Sequence, residues 1–573
     1  MPSISGVQSG KLSIIDLSSM SAVATSMMRS DDIPQTQAHP GQVPNSAGGF
    51  SFAVSDMTRL RRFLILGCEG GTYYSSERKL GVENAQAIQR LIDGGQGAAV
   101  VAEIVQCSTD NRAAKQDPSV FALAMCARCK HVDVQHAAYA ALDNVCRIPT
   151  HLFAFVTYCE LLSEGTGWSR SHKRGVGEWY TGKTAPHLAM LVTKYQQRDG
   201  WSHRDVLRLA HVQPPSPAHD IIFRYATNGY EKLGDIAEYA AAHAGGEGLD
   251  VAEGVGKVTA LLDAVQAAKT TVDASTMAML IAKHHLVREH VPTGLLNSEV
   301  VWAALLEHMP MTAMLRNLGK MTSIGLLTPD SAHSAKVVAA LHDADKLHAA
   351  KIHPFAVLLA LKTYGTGHGD KGSLKWQPVP EIEAALDHAF YLAFNNVAPT
   401  GNRMVLGIDV SGSMGCSSVH GSCITAREGA AAMAMLAART EPSSVFMAFC
   451  DEFVPLDIGA QDGLNDVIQA ISNLPFGATD CSLPMLWALQ NNVEADCFMV
   501  LTDCETFAGD ISPHVALQRY REATGINAKL VVVAMTSNGF TLADPEDRGM
   551  LDVVGFDANA PLVIREFMLG NLL

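Results

Sequence analysis

Long apolar runs are missing from this chain of 573 residues. No stretch approaches the ~20 residues that a membrane span needs, so no membrane segment is expected. No charged start followed by a greasy core is visible, so no secretory signal is expected either. Zinc knuckles are missing too. Cys126 and Cys129 form a single CxxC in "AMCARCKH" without a second pair at zinc spacing, and read as two half-buried thiols on one helix. The twelve cysteines are scattered, which suits a reducing compartment. The expected location is the cytoplasm, with the nucleus second. Basic residues are scarce at both ends. Residues 1–50 hold 2 Lys+Arg and 3 Asp+Glu, and residues 401–573 hold 8 against 21. The net charge of −15 therefore belongs mainly to the C-terminal third, while residues 51–400 are balanced at 33 against 34. Such asymmetry points to different partners for different parts and does not exclude nucleic acid from the middle.

Three regions follow from the patterning. Residues 1–50 are Ser-rich, lack periodicity and carry Pro34, Pro40 and Pro44 near their end, so they read as a disordered tail. Residues 51–400 read as helix after helix. "NAQAIQRLIDGG" places Ala85, Ile88, Leu91 and Ile92 on one face and should end at Gly94. "SVFALAMCARC", "VQHAAYAALDNVC", "VWAALLEHM" and "EIEAALDHAFYLAF" repeat the pattern, which suggests stacked helix pairs of the HEAT kind. After "NNVAPTGNR" the pattern changes. In residues 401–573, short apolar strands ("RMVLGID", "SVFMAFC", "DCFMVLTD", "AKLVVVAM") alternate with helices. That predicts an α/β domain, a doubly wound and mostly parallel sheet covered on both faces.

Ligands of such sheets bind at the carboxyl ends of strands. Asp409 ends the first strand in "LGIDVSGSMG", with hydroxyls following at Ser411 and Ser413. Asp503 ends a later strand, and Thr479 lies in the loop "PFGATDCS" between them. Two carboxylates and three hydroxyls are hard oxygen donors of the kind Mg²⁺ takes. D-x-S-x-S with a distant Thr and Asp resembles the metal-ion-dependent adhesion site of von Willebrand factor A domains; a Ser-rich βα turn without metal is the alternative. Phosphoryl-transfer sites of the D-x-D type need a carboxylate where Ser411 stands, and neither serine sits in a G-x-S-x-G elbow. His420, nearby in sequence, reads as a solvated loop residue. The site is expected to hold a cation rather than to catalyse.

Basic residues gather elsewhere. Residues 166–211 hold 8 Lys+Arg against 3 Asp+Glu, with Trp168, Trp179, Tyr180, Tyr195 and Trp201 interleaved. Ser202, with Asp205 three residues on, predicts a helix start. Arg204, Arg208 and His211 then fall on one face, and Lys194 and Arg198 make another i, i+4 pair. His284 with Arg288 and Arg316 with Lys320 repeat that spacing. Cations for phosphates beside flat rings for bases suit RNA loops and ends; an ordinary solvated helix face is the alternative.

"RFLILGCEGGTYY", "VCRIPTHLF", "TKYQQRDGWSH", "LVREH", "RNLGKMT", "TYGTGHG", "GATDCSLPM" and "MTSNGFTLADPEDRGMLD" resemble the Ro (SS-A/Ro) family of TROVE-domain RNA-binding ribonucleoproteins, from about residue 52 to the C-terminus. The resemblance implies a ring of HEAT-like repeats closed by a von Willebrand factor A domain. It also implies Y RNAs on the outer surface and single-stranded ends of misfolded noncoding RNAs in the central hole. Position by position, Lys194, Arg198 and His211 match family residues for Y RNA. His284, His285 and Arg288 match a helix near the hole, and Asp409, Ser411, Ser413, Thr479 and Asp503 match the metal site. The glycine-rich stretch 242–256 and Gln213 depart from the family pattern. The reading is an RNA-binding ribonucleoprotein component in noncoding RNA quality control, monomeric and not an enzyme, with Mg²⁺ as cofactor and two RNA sites that can be mutated apart. A scaffold gripping an acidic protein ligand at the metal site is the second reading, and a Mg²⁺-dependent hydrolase a distant third.

Overall fold

The computed structural model describes residues 29, 32–163, 165–233, 249–369, 373–394, 398–451, 453–474, 477–556 and 559–571, with the side chains of 249–252 and His420 left aside. Residues 1–28 of the expected tail and residues 242–248 of the glycine-rich stretch lie outside this set. The chain divides into two compact units, one of 1–84, 353–362 and 390–573, the other of 85–352 and 363–389.

The second unit is helical. Helices such as Asp117–Arg128, Pro149–Leu161 and Ala185–Lys194 carry proline in their first turns, where the missing N–H has no helical partner to lose. Trp179, Tyr180 and Phe153 are fully buried among them. The helix expected to stop at Gly94 does not stop. A π-turn, Ile92–Gln96, with Gly95 at φ 79° joins it to Gly97–Thr109. Glycine here absorbs a kink rather than ending the element.

The first unit is built on a six-stranded sheet. Its order is Met550–Val554, Lys529–Ala534, Cys497–Thr502, Met404–Asp409, Ser444–Phe449, Phe453–Leu456. All neighbours are parallel except the last pair. The chain enters at the centre, winds outward on one side, then returns to wind outward on the other. The reversal therefore falls between Met404–Asp409 and Cys497–Thr502, where the crevice for ligands of such sheets opens. Gly407 lies in the central strand because a Cβ there would sit 2.8 Å from Pro484 Cγ, so only glycine lets the Leu483–Gln490 helix approach.

One expectation needs correcting. The tail was placed at 1–50, yet Gln42–Pro44 pairs antiparallel with Phe50–Ala53, which pairs with Phe540–Thr541. The partner of the second strand lies some 490 residues away, beyond the reach of local periodicity. The two compact units are also each assembled from non-contiguous stretches of chain. Helix Asp56–Leu66 belongs with the sheet, because fully buried Arg62 pairs with Asp552 on the sheet's edge strand and donates to Phe540 O at 2.6 Å.

Candidate nucleic-acid interface and metal centre

In the helical unit, Lys194 ends a helix whose C-cap is Tyr195. The chain then makes a hairpin, Gln197–Arg198 against Trp201–Ser202, turned by Asp199 (φ 53°) and Gly200 (φ 81°). Two positive φ values in a two-residue turn fit the Asp-Gly pair. Lys194 and Arg198 are thus not an i, i+4 helical pair as expected, because the turn chemistry of "RDG" overrides the spacing. Ser202 does cap helix His203–Ala210. Its Oγ accepts from Asp205 N–H at 3.4 Å, and its own N–H donates to Asp205 Oδ2 at 3.1 Å. Arg204 and Arg208 are exposed on that helix. His211 is not on its face, since it terminates the helix in the left-handed region at φ 52°.

The second segment behaves alike. His284 ends helix Ala274–His284, His285 caps it at φ 52°, and Arg288 opens a separate 3-10 turn, Arg288–His290. One helix holding all three was expected; the left-handed cap turns the chain away. A hydrogen bond between His290 Nε2 and Thr193 Oγ1, 3.2 Å, joins the two segments in the core. Burial, then the nearby Lys194, push the His290 imidazole down to about 4. The ring is therefore neutral at pH 7, accepting from Val287 N–H on Nδ1 at 3.2 Å.

This clamp brings Lys194, Arg198, His285 and Arg288 onto one cleft of about 840 Å³, together with His308 and Arg316. They were expected on two separate surfaces. Lys194 Nζ lies 4.8 Å from the centre of the Tyr195 ring, and the His285 and His308 rings meet edge to face at 4.6 Å. Asp117, Asp199 and Glu289 share the wall, and Asp199 pairs with Arg198 at 3.3 Å. Four permanent cations can meet phosphates, while carboxylates can accept from base amino groups or ribose hydroxyls. Arg204, Arg208, His211 and His284 do not line the cleft. Trp179 and Tyr180, read as possible stacking rings, are core residues, 2% and 0% exposed. His308 has no sequence signal of its own; packing between Ala274–His284 and the helix Glu299–Glu307 delivers it.

At the sheet crevice all five expected donors are buried. Asp409 Oδ1 accepts from Ser411 N–H at 2.9 Å and Oδ2 from Thr502 Oγ1 at 2.5 Å. The Ser411 and Ser413 hydroxyls lie 3.0 Å apart. Thr479 is tied to the Asp503 loop through its carbonyl, which accepts from Phe507 and Ala508 N–H at 3.0 Å each. Asp503 Oδ1 accepts from Glu505 N–H at 3.2 Å, whereas Oδ2 is buried without a hydrogen-bond partner. Burial, then Asp409 and Glu505, drive the Asp503 carboxyl well above the usual range. Burial also raises Asp409, against the hydrogen bonds to Ser411 and Thr502. Tyr74 was missed by sequence reasoning: burial, then the nearby Asp503, Glu505 and Asp409, push its phenol up. Among the described residues no group of three or more His, Cys, Asp and Glu gathers as a metal cluster. The donor set is hydroxyls plus two carboxylates, one with an orphaned oxygen, and it fits a hard divalent cation.

A family model described as the TROVE domain matches residues 43–363, and one described as the Ro60 vWA domain matches 403–568. The chain belongs to the Ro60 family. It is 40% identical over 588 residues to the RNA-binding protein RO60 of Caenorhabditis elegans, covering 93% of this chain and 91% of that one. With the RNA-binding protein RO60 of Deinococcus radiodurans it shares 39% over 545 residues, covering 94% and 98%. The crystal structure of the Deinococcus radiodurans RO (RSR) protein matches with a TM-score of 0.66 at 37% identity, over 90% of this chain and 100% of that one. The fold is that of the Ro60 family, a helical region followed by a von Willebrand factor A domain with a mostly parallel sheet. Among the described residues no helix is long and apolar enough to cross a membrane.

Proposed function

We propose that this Ro60-family chain binds small noncoding RNAs, Y RNAs and the single-stranded ends of misfolded transcripts among them, and serves noncoding RNA quality control. The observation that carries the reading is the cleft. Three segments, the hairpin with Lys194 and Arg198, the turn with Arg288 and the helix Met311–Ser323 with Arg316, line one cavity of about 840 Å³, within the ~300–1,000 Å³ typical of small-ligand sites. A nucleotide's phosphate can meet the cations while its base lies against Tyr195 or the paired histidines. Arg204, Arg208 and His211 stay in the proposal as contacts for a larger folded RNA, because the two arginines are exposed on the helix next to the hairpin and His211 is exposed at its C-cap.

The test uses two RNAs, a structured Y-type RNA and a short single-stranded 3′ tail. Lys194→Ala with Arg198→Ala, and separately His285→Ala with Arg288→Ala, are each expected to weaken the tail. Tail binding untouched by both double variants would remove the cleft from RNA recognition.

The crevice of the sheet unit is proposed to hold Mg²⁺ through Asp409, Ser411, Ser413, Thr479 and Asp503, without catalysis. Position 411 offers a hydroxyl where phosphoryl-transfer chemistry of that pattern uses a carboxylate. Bound there, the cation would neutralise two carboxylates and accept one further oxygen, such as a carboxylate of an acidic protein partner. Purified protein with Mg²⁺ should cleave neither RNA nor phosphate esters. Turnover abolished by Asp503→Ala would overturn the non-catalytic reading.

A further inference from the structure

We propose that residues 32–53 form a strap that positions the loops of the metal site, with Gln35 as its central contact, so that seating of the strap and cation binding reinforce each other. The inference rests on the Mg²⁺ reading of the crevice.

The loop that follows Asp503 runs to Ser512 with neither helix nor strand. Its buried carbonyls need partners, since an unpaired buried C=O is costly. The strap supplies four. Cys504 O accepts from Ser51 Oγ at 3.0 Å, Thr506 O from Asn45 Nδ2 at 2.7 Å, Gly509 O from Gln35 N–H at 2.9 Å, and Ile511 O from Gln35 Nε2 at 2.8 Å. The Glu505 carboxylate accepts from Ser46 and Ala47 N–H at 2.7 and 3.2 Å. Gly49 packs so closely that a Cβ there would sit 2.1 Å from Thr506 O.

Gln35 also reaches the other loop. Nε2 donates to Asp480 Oδ1 at 2.8 Å, one residue beyond the donor Thr479, while Oε1 accepts from Thr506 Oγ1 at 2.5 Å. One fully buried amide thus joins the segment after Thr479 to the segment after Asp503. Asp32, paired with Arg519, fixes the strap's start. A cation needs Thr479 and Asp503 at a set separation, and the strap holds the backbones that set it. Gln35 is a positioning residue, not a ligand. By reciprocity, whatever factor the strap adds to cation affinity, the cation adds to strap seating.

The test substitutes Gln35→Met in the full chain, which keeps the volume and removes the three side-chain hydrogen bonds while leaving the backbone bond to Gly509 O. Mg²⁺ affinity is measured by titration calorimetry, and hydrogen exchange is followed across 32–53 with and without Mg²⁺. We expect Mg²⁺ binding weakened on the order of 5- to 20-fold, and slower exchange of the wild-type strap when Mg²⁺ is present. A variant less stable to heat but with wild-type Mg²⁺ affinity would reduce Gln35 to ordinary packing and overturn the proposal. So would wild-type strap exchange indifferent to Mg²⁺, a readout that stands if the variant fails to fold. Wild-type protein that takes up no Mg²⁺ would overturn the metal reading itself, and the strap proposal with it.

Discussion

Among the described residues the helical unit buries histidine rings, whereas the crevice of the sheet unit buries carboxylates. His172, His203 and His290 are pushed down to about 4, by burial first in each case. Each ring is occupied by uncharged partners: His172 with Tyr139, His203 with Tyr180 and Tyr195 O, His290 with Thr193. Asp409, Asp480, Asp503 and Glu505 are raised instead, burial again leading. The helical unit thus keeps its interior neutral and sets permanent cations on the cleft wall, an arrangement for anions. The sheet unit gathers carboxylate oxygens with too few positive partners, an arrangement for a cation. The charge asymmetry seen along the sequence is the surface trace of this division.

Acid should separate the units most strongly. An unfolded histidine titrates near 6.5, and the three buried rings resist protonation until about 4. Below 6.5 the unfolded chain takes up protons that the native helical unit refuses. Stability is therefore full above 6.5, falls as pH drops toward 4, and levels off below it. We expect on the order of 1 kcal/mol from each ring at pH 5, after allowance for relaxation. The raised carboxyls act in the opposite sense. Their native forms bind protons more readily than the unfolded chain, so mild acid relieves the sheet unit; His514, also near 4, works against that relief. Hydrogen exchange corrected for intrinsic rates, compared at pH 7 and pH 5, should show 85–352 opening before 404–554. Simultaneous opening would show that the two interiors do not differ as described.

Charge reversal in the cleft ranks next. Arg288→Glu with Arg316→Glu should weaken a short single-stranded RNA roughly a hundredfold and lower its salt slope by about 1.4 if both touch phosphate. Mg²⁺ uptake should not change. If the reversal weakened Mg²⁺ instead, the division of labour between the units would be wrong. Asp409→Ala tests the other side. Wild-type protein should gain about 2 kcal/mol at free Mg²⁺ near thirty times Kd, and the variant nothing, with RNA affinity held within a few-fold. Calorimetric melting with Mg²⁺ and after chelation reads this directly.

Much of the two-unit design was legible because each unit declares itself by local period. Continuous apolar strands ending in Asp409 and Asp503 placed the crevice, and Ser202 with Asp205 placed a real cap. What failed was whatever depends on turn chemistry or distant partners. Lys194 and Arg198 have helical spacing, but Asp199 and Gly200 directly after them turn a hairpin, a signal that i, i+4 spacing does not weigh. His211 and His285 both leave their helices through left-handed caps, which spacing does not show. Gln35 and Asn45 looked like tail because their hydrogen bonds go to residues more than 440 positions away. His308 reaches the cleft only through helix packing.

The smallest expected effect concerns the residues left outside the cleft. Arg204 and Arg208 are exposed on helix His203–Ala210, and neither lines the cavity. If the cleft alone recognises short single-stranded RNA, Arg204→Ala with Arg208→Ala should change that affinity by less than about threefold. The salt slope should hardly move, because distant exposed charges are screened beyond roughly 8–10 Å at ordinary salt. His211→Ala should add little for the same RNA, since the ring stands beyond the helix end. A structured Y-type RNA is large enough to reach from the cleft to this helix, so there the double variant should flatten the slope by up to about 1.4–1.8, two phosphate contacts' worth. Filter-binding isotherms from 50 to 200 mM salt distinguish the cases. An equal flattening for both RNAs would extend the anion-binding surface past the cleft wall and across the hairpin. The helical unit would then be a broad basic face, no longer a counterpart in kind to the sheet unit's compact crevice.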